Sequence, residues 1–194
     1  FGNPFKGIDG QFAGYISSCY DIHERRALEE TLKSISITDD LTGLLNRRGF
    51  FALAQQQIKI ANRIGKDMLL VYGDLDGFKR INDTFGHHEG DEVLIESAAI
   101  LREVVRESDI IARLGGDEFA VLMTEKTGDP DEPAIVDRLR EAISARNARA
   151  QGRPSISLSV GLRKYDPENP ISLDRLISQA DALMYEEKKM KKRV

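Results

Sequence analysis

Acidic side chains interrupt the apolar pattern at two places in this sequence. Asp74 and Asp76 follow one apolar run, and Asp117 and Glu118 stand just ahead of another, directly after a pair of glycines. If the two runs pair as strands, Asp74 lies close to Asp117 and Glu118, and carboxylates grouped in this way repel one another unless a cation is present. Oxygen ligands without a histidine or cysteine cluster favour Mg²⁺ or Mn²⁺ over zinc. The pattern therefore predicts a site for a hard divalent metal.

The residues that follow Asp76 are suited to binding phosphate. Gly77 allows the chain to turn sharply, and a short helix at 78–85 would direct its first N–H groups and the side chain of Lys79 towards an anion. Because Mg²⁺ is commonly bound together with phosphates, the acidic groups and this helix predict one site for a phosphorylated substrate.

Hydrophobic periodicity and turn residues predict the elements that carry these groups. The predicted strands are 68–75, 110–113, 119–123 and 155–162. The predicted helices are 46–64, 78–85, 91–107, 130–149 and 172–189, with "GHHEGD" at 86–91 expected to form a loop. Strands and helices in this order predict an α+β fold, with helices packed against a mostly antiparallel sheet.

The first part of the chain has a different pattern. Residues 1–22 contain a turn signal at Asp9-Gly10 and are expected to form a hairpin, which is too small to be a stable domain alone. The next segment carries Leu28, Leu32 and Ile35 at spacings of four and three, typical of an amphipathic helix. Such a helix could pair with a second copy as a short coiled coil or pack on its own domain.

Composition limits the class of protein. A chain of 194 residues with 41% hydrophobic and 31% charged residues can bury a core, and no apolar run approaches the roughly 20 residues that a membrane span requires. A net charge of -4 argues against a general nucleic-acid binder, although the basic run 188–193 could hold an anion or form a solvated helix end. The single cysteine, Cys19, excludes an intrachain disulfide and a cysteine-rich zinc site, and favours an intracellular setting.

Three motifs resemble one known family, the GGDEF diguanylate cyclases. They are "GGDEF" at 115–119, "DLDGFKRINDTFGHHEGDEVL" at 74–94 and "DDLTGLLNRRGF" at 39–50, and they occur in the family's order. The resemblance implies a palm-like fold of the nucleotidyl cyclase or ferredoxin-like type, shared with class III nucleotide cyclases and polymerases. It also implies an enzyme that condenses two molecules of GTP to cyclic di-GMP and releases two pyrophosphates.

The resemblance gives roles to the acidic residues. It implies that Asp74, Asp117 and Glu118, together with the main-chain carbonyl of Leu75, hold Mg²⁺ or Mn²⁺. Asp117 is the family's usual candidate for activating the ribose 3'-hydroxyl, and Glu118 and Lys79 would complete the catalytic group.

The resemblance also identifies substrate-binding positions. Asn82 and Asp91 would read the guanine base, because an amide and a carboxylate match its acceptor and donors. Phe78 and His87 would line the same pocket. The basic residues expected at the phosphates are Lys79, Arg113, Lys188 and Lys192. The family often has an arginine where this chain has Lys192, and lysine replaces its bidentate fork with a point charge.

Upstream of the glycines, Arg106 and Asp109 match the family's inhibitory RxxD position. The resemblance implies that cyclic di-GMP binds there and holds domains away from productive alignment, as an allosteric inhibitor at a distinct site. The alternative is an ordinary ion pair between residues three apart at a helix end.

The chain is expected to be cytoplasmic, although its parent protein could be tethered to a membrane elsewhere. Its expected organisation has three parts. Residues 1–22 resemble the end of a PAS sensor domain, 23–38 would be a signalling helix, and 39–194 would be the catalytic domain. One site holds one GTP, so the reaction requires a homodimer of facing domains. The alternatives are a catalytically silent GGDEF module that binds GTP or cyclic di-GMP as a receptor, and another nucleotidyl cyclase, which the guanine-reading pair disfavours.

Overall fold

The computed structural model describes residues 3–6, 8–16, 36–124, 132–150 and 152–191. The chain divides into two compact units, Phe1–Ser36 and Ile37–Val194. In the first unit, strands β1 (Asn3–Lys6) and β2 (Phe12–Ile16) form an antiparallel hairpin, which confirms that prediction. The helix predicted from Leu28, Leu32 and Ile35 lies outside the described residues, as does Cys19.

The second unit contains five helices and four strands within the described ranges. The helices are α1 (Arg47–Ile64), α2 (Phe78–Phe85), α3 (His87–Val104), α4 (Glu132–Arg149) and α5 (Leu173–Lys191). The strands are β3 (Met68–Leu75), β4 (Ile110–Gly115), β5 (Glu118–Thr124) and β6 (Leu158–Tyr165). None of the described helices is both long enough and apolar enough to cross a membrane.

The four strands form one sheet in the order β4-β5-β3-β6, and every neighbouring pair is antiparallel. One isolated parallel bridge joins Leu45 to Ala112. The predicted α+β architecture with a mostly antiparallel sheet is confirmed.

The sheet separates two hydrophobic cores, because successive side chains of a strand point to opposite faces. On one face, Leu69 and Val71 of β3 pack with residues of α3 and α4. On the other face, Leu70 and Tyr72 pack with residues of α1 and α5. Burial on both faces makes β3 the central strand and fixes where its polar end, at Asp74, emerges.

Helix α1 confirms the helix predicted at 46–64, with Asn46 as its N-cap. The Asn46 Oδ1 accepts a hydrogen bond of 3.0 Å from the Gly49 amide, which satisfies one of the free N–H groups of the first turn. Gly65 ends the helix in the left-handed conformation at φ +66°.

The loop predicted at 86–91 is wrong, because α3 already begins at His87. Gly86, at φ +88°, makes the break between α2 and α3. Gly90 lies inside α3, where a Cβ atom would stand 1.9 Å from the Oδ1 atom of Asn82. The second glycine therefore serves close helix packing, which a sequence pattern of loop residues does not reveal.

Strand β6 begins at Leu158, three residues later than the predicted start at 155. The side chain of Asn147 takes the place of a strand partner for Ile156, since Asn147 Nδ2 donates to the Ile156 carbonyl and Oδ1 accepts from its amide, both at 2.8 Å. Ile156 is therefore held by a side chain and not by a neighbouring strand.

Candidate active site

The acidic residues meet at one end of the sheet. In the register of β3 with β5, Asp74 lies opposite Glu118. The amide of Leu75 donates a 3.1 Å hydrogen bond to the carbonyl of Asp117, which fixes the turn beside the end of β3. The structure brings together the residues that the sequence placed in one metal site, while their role as ligands stays a prediction.

The carboxyl of Asp74 is partly buried and has two acidic neighbours. Burial raises the pKa of the Asp74 carboxyl, and the nearby charges of Asp117 and Glu118 raise it further. Lys188 acts in the opposite direction by donating a hydrogen bond, but the pKa stays above its ordinary value. Burial is the largest of these causes, and the three carboxylates also carry more charge than one ammonium group offsets, which favours a cation at this position.

Lys188 reaches Asp74 from α5. Its Nζ atom contacts Asp74 Oδ1, and the two side chains are 20% and 15% exposed, so the pair is largely shielded from water. In the described part of the chain, no three Asp, Glu, His or Cys side chains are already grouped to hold a metal. The oxygen donors suit a hard divalent cation by chemical type, and Lys188 provides the positive charge at Asp74 in this structure.

Glu118 is held in place by a neighbouring side chain, that of Tyr72. The Tyr72 hydroxyl hydrogen-bonds Glu118, and burial together with the Glu118 charge raises the pKa of Tyr72. Tyr72 is 5% exposed and belongs to the core beneath α5. The carboxylate of Glu118 is therefore anchored to the rigid face of the sheet.

Arg113 braces the glycine turn. Its Nε and Nη2 atoms donate to the Gly116 carbonyl at 2.9 and 2.7 Å, and its Nη1 atom lies 3.2 Å from both carboxylate oxygens of Asp39. The sequence suggested a substrate phosphate as its partner. The structure instead commits the guanidinium to internal partners, so the substrate-binding assignment gains no support and Arg113 positions the turn that carries Asp117.

Replacing Arg113 by methionine should lower the free energy of unfolding by about 2 kcal/mol at neutral pH, because the partly buried Asp39 loses charge-assisted hydrogen bonds. Burial by itself raises the pKa of Asp39, but hydrogen bonds from Thr42 and the Arg113 charge hold it below its ordinary value. A lowered pKa stabilises the fold above the unfolded-state value, and this contribution is lost as pH falls.

Urea unfolding of Arg113→Met and of wild type at neutral pH and at about pH 3 measures both effects, and the stability difference should shrink at the lower pH. Arg138→Met, on the exposed surface of α4, is the control and should change little. A stability difference that does not depend on pH would contradict the role of the ion pair.

The predicted guanine-reading residues lie on the packed pair α2 and α3. The half-buried Asn82 contacts α3 at Gly90, and a Cβ atom at Gly90 would also approach the Phe78 ring at 3.5 Å. Asp91 follows Gly90 directly and is exposed, as is His87 in the first turn of α3. The structure thus brings Asn82, Phe78 and the start of α3 together, while base recognition stays a prediction.

The predicted phosphate ligands are in two places. Lys79 is exposed in the first turn of α2, and Lys188 lies at Asp74. Lys192 lies outside the described residues.

The predicted product-binding residues form a turn between α3 and β4. The amide of Arg106 donates to Asp109 Oδ2 at 2.9 Å, and the amide of Asp109 donates to the Arg106 carbonyl at 3.0 Å. Asp109 also lines a cleft of about 470 Å³ with residues of α1, including Gln56 and Gln57. The turn is well defined, and its role as an inhibitory site stays a prediction.

Sequence reasoning missed the surroundings of Asp76, for which it named no partner. The Asp76 carboxylate accepts hydrogen bonds from Ser157 and Ser159, each at 2.6 Å, and from Lys191 at 2.9 Å. Burial raises its pKa, but these three donors together lower it below the ordinary value. Serines at alternate positions before and within a strand were the available signal, since they lie on one face.

Comparison with known proteins decides the family. The model of the family described as "Diguanylate cyclase, GGDEF domain" matches residues 36–193. The chain belongs to this GGDEF family. The diguanylate cyclase DgcP of Escherichia coli is 34% identical to it over 189 residues, which covers 95% of this chain and 54% of that protein. The chain spans about half or less of the length of the curated relatives it matches.

Solved GGDEF domains share its architecture. The GGDEF domain of TpbB from Pseudomonas aeruginosa gives a TM-score of 0.71 at 37% identity, covering 79% of this chain and 89% of that one. The coiled coil and GGDEF domain of DgcB from Caulobacter crescentus, solved in complex with c-di-GMP, gives 0.68 at 27% identity, covering 86% and 89%. The predicted nucleotidyl cyclase-like fold is confirmed by these neighbours.

Proposed function

We propose that this GGDEF domain is a diguanylate cyclase that condenses two GTP molecules into cyclic di-GMP. The observation that carries the proposal is the meeting of Asp74 with Asp117 and Glu118 at the end of the central strand, close in sequence to the packed helices α2 and α3. The family match and the diguanylate cyclases among its relatives support the same reaction.

The metal is proposed to be Mg²⁺ or Mn²⁺. Asp74, Asp117 and Glu118, with the Leu75 carbonyl, would hold it, and when bound it would polarise the phosphates of GTP. The charges of Asp117 and Glu118 near Asp74 support this assignment. Lys188, which contacts Asp74, and the exposed Lys79 would bind the triphosphate of the substrate, together with Lys192.

The chemical step is a nucleophilic substitution at phosphorus. The 3'-hydroxyl oxygen of one GTP attacks the α-phosphorus of the other, its proton passes to Asp117, and pyrophosphate leaves with the bonding electron pair. Lysine side chains, Lys79, Lys188 and Lys192 in this proposal, stabilise the negative charge that develops. The same step repeated with the roles exchanged closes the ring and releases the second pyrophosphate.

The domain arrangement and regulation are proposed from the same resemblance. Each chain binds one GTP through Asn82 and Asp91, with Phe78 and His87 beside the base, so two chains must face each other as a homodimer. Residues 1–22 would end a PAS-like sensor and 23–38 would form the helix that sets the spacing of the two catalytic domains. Arg106 and Asp109 would bind cyclic di-GMP as inhibitor, and the DgcB complex supports the coarser point that a similar GGDEF domain binds c-di-GMP.

Incubation of the purified chain with GTP and Mg²⁺, followed by chromatography, should give one cyclic di-GMP and two pyrophosphates for two GTP consumed. A sample without divalent metal is the control and should give neither product. Absence of product from a sample shown to be dimeric by sedimentation would contradict the proposal. Binding of cyclic di-GMP by that inactive dimer would instead favour the receptor alternative.

A further inference from the structure

We propose that Asp76 is a positioning residue for this reaction. Together with Ser157, Ser159 and Lys191 it forms a set of contacts, here called the Asp76 cluster. The cluster joins the end of β3, the start of β6 and the end of α5. The inference rests on the proposed function, because the groups that the cluster positions are the proposed metal ligands and phosphate-binding lysines.

The cluster first holds the end of β3 to the start of β6. Ser157 Oγ donates to Asp76 Oδ2 and Ser159 Oγ donates to Oδ1, both at 2.6 Å, while the Asp76 amide donates to the Ser157 carbonyl at 2.8 Å. The two serines flank Leu158, whose backbone pairs with Leu75. Asp76 therefore holds in place the segment whose Leu75 carbonyl is a proposed metal ligand.

The cluster also fixes the last turns of α5. Lys191 Nζ donates to Asp76 Oδ2 at 2.9 Å and to the Leu158 carbonyl at 2.7 Å. Lys188 lies one helical turn earlier, on the same face of α5, because residues three apart in a helix are neighbours. Holding Lys191 at Asp76 thus sets the distance between Lys188 and Asp74.

The arrangement gives each carboxylate its own lysine. Lys188 contacts Asp74 and Lys191 contacts Asp76. Glu187, which accepts from the Val160 amide at 2.7 Å and lies 3.7 Å from Lys191, holds the same turn of α5 to β6. Without the Asp76 charge, Lys191 would be free to compete for Asp74, and Lys188 would lose its defined position.

Asp76→Asn tests this role in the full chain, because it keeps the size of the side chain and removes its charge. We expect kcat for cyclic di-GMP formation to fall by about 10-fold to 100-fold, with a smaller change in KM for GTP, since the guanine-reading residues are untouched. Asp83→Asn, on the exposed surface of α2, is the matched control and should behave as wild type.

Amide hydrogen exchange supplies a readout that does not depend on turnover. Residues 186–191 at the end of α5 should exchange faster in Asp76→Asn and in Lys191→Met than in wild type. The double variant should be no less active than the less active of the two single variants. Lys191→Met keeps the proposal testable if Asp76→Asn does not fold. Exchange and kcat equal to wild type in Lys191→Met, or in a folded Asp76→Asn, would overturn it.

The two proposals fail in distinguishable ways. If wild type forms no cyclic di-GMP while the exchange of residues 186–191 still rises in both variants, the cluster positions α5 but the proposed function is wrong. If wild type is active and both variants match its kcat, the proposed function stands and the positioning role is wrong.

Discussion

Asp117→Ala should lower the rate of cyclic di-GMP formation by about 10²-fold to 10⁴-fold, the range in which a general base usually contributes. The proposed base and one carboxylate ligand are removed together, so the remaining rate would depend on substrate positioning alone. Product formation under saturating GTP and Mg²⁺ measures the effect.

The variant should remain folded. Asp117 lies in the turn between β4 and β5, outside both hydrophobic cores, and its side chain accepts no hydrogen bond from the described residues. Its removal therefore leaves no buried partner unsatisfied. Removal of Asp74, in contrast, would take away the carboxylate that Lys188 contacts. Asp117→Ala is the cleaner test for that reason.

Two measurements make the result decisive. The unfolding midpoint in urea should match wild type within about 0.5 kcal/mol, as expected of a surface substitution. Asp117→Asn keeps the volume and one oxygen but cannot take up the proton, so it should be impaired to a similar degree. A folded, dimeric Asp117→Ala sample with near wild-type turnover would contradict the catalytic role of Asp117.

Local patterns predicted the fold well, because the spacing of apolar residues within each strand and helix indicates which of its faces is buried. Strand β3 is apolar throughout and proved to be the central strand, with the predicted bounds Met68–Leu75. The meeting of Asp74 with Glu118 followed from the pairing of two predicted strands. These features depend on spacing along the chain, which the sequence contains.

The contacts that sequence reasoning missed are those between polar side chains distant in the chain. Arg113 bonds Asp39, 74 residues away, and Asp76 bonds Ser157, 81 residues away. Hydrophobic periodicity carries no information about which polar group meets which. Gly90 was misread for a related reason, since its need for space is set by Asn82 on a neighbouring helix.

Gly161→Ala should destabilise the fold by about 3 kcal/mol or more, the upper part of the range for overpacked sites. A Cβ atom at Gly161 would stand 2.0 Å from the Ala180 carbonyl oxygen and 2.4 Å from the Met184 amide nitrogen. Both atoms belong to the backbone of α5, which cannot rotate away as a side chain would. The helix as a whole must therefore move off the sheet.

That movement connects stability to the site. Helix α5 carries Lys188 and Lys191, which meet Asp74 and Asp76 at the end of β3. A shift of α5 should break both contacts, so Gly161→Ala should lose cyclic di-GMP formation even at temperatures where it is folded. Leu176, fully buried on the same helix, should lose part of its packing at the same time.

Urea unfolding of Gly161→Ala and wild type measures the stability loss, and Gly115→Ala is the control. A Cβ atom at Gly115 would meet only Glu118 Oε2 at 3.6 Å, an ordinary contact, so its unfolding free energy should change little. Equal stability of Gly161→Ala and Gly115→Ala would mean that α5 does not pack on β6 as closely as described. A destabilised but fully active Gly161→Ala would mean that the position of α5 does not affect the activity. That result would contradict the proposed placement of Lys188 and Lys191 at the site.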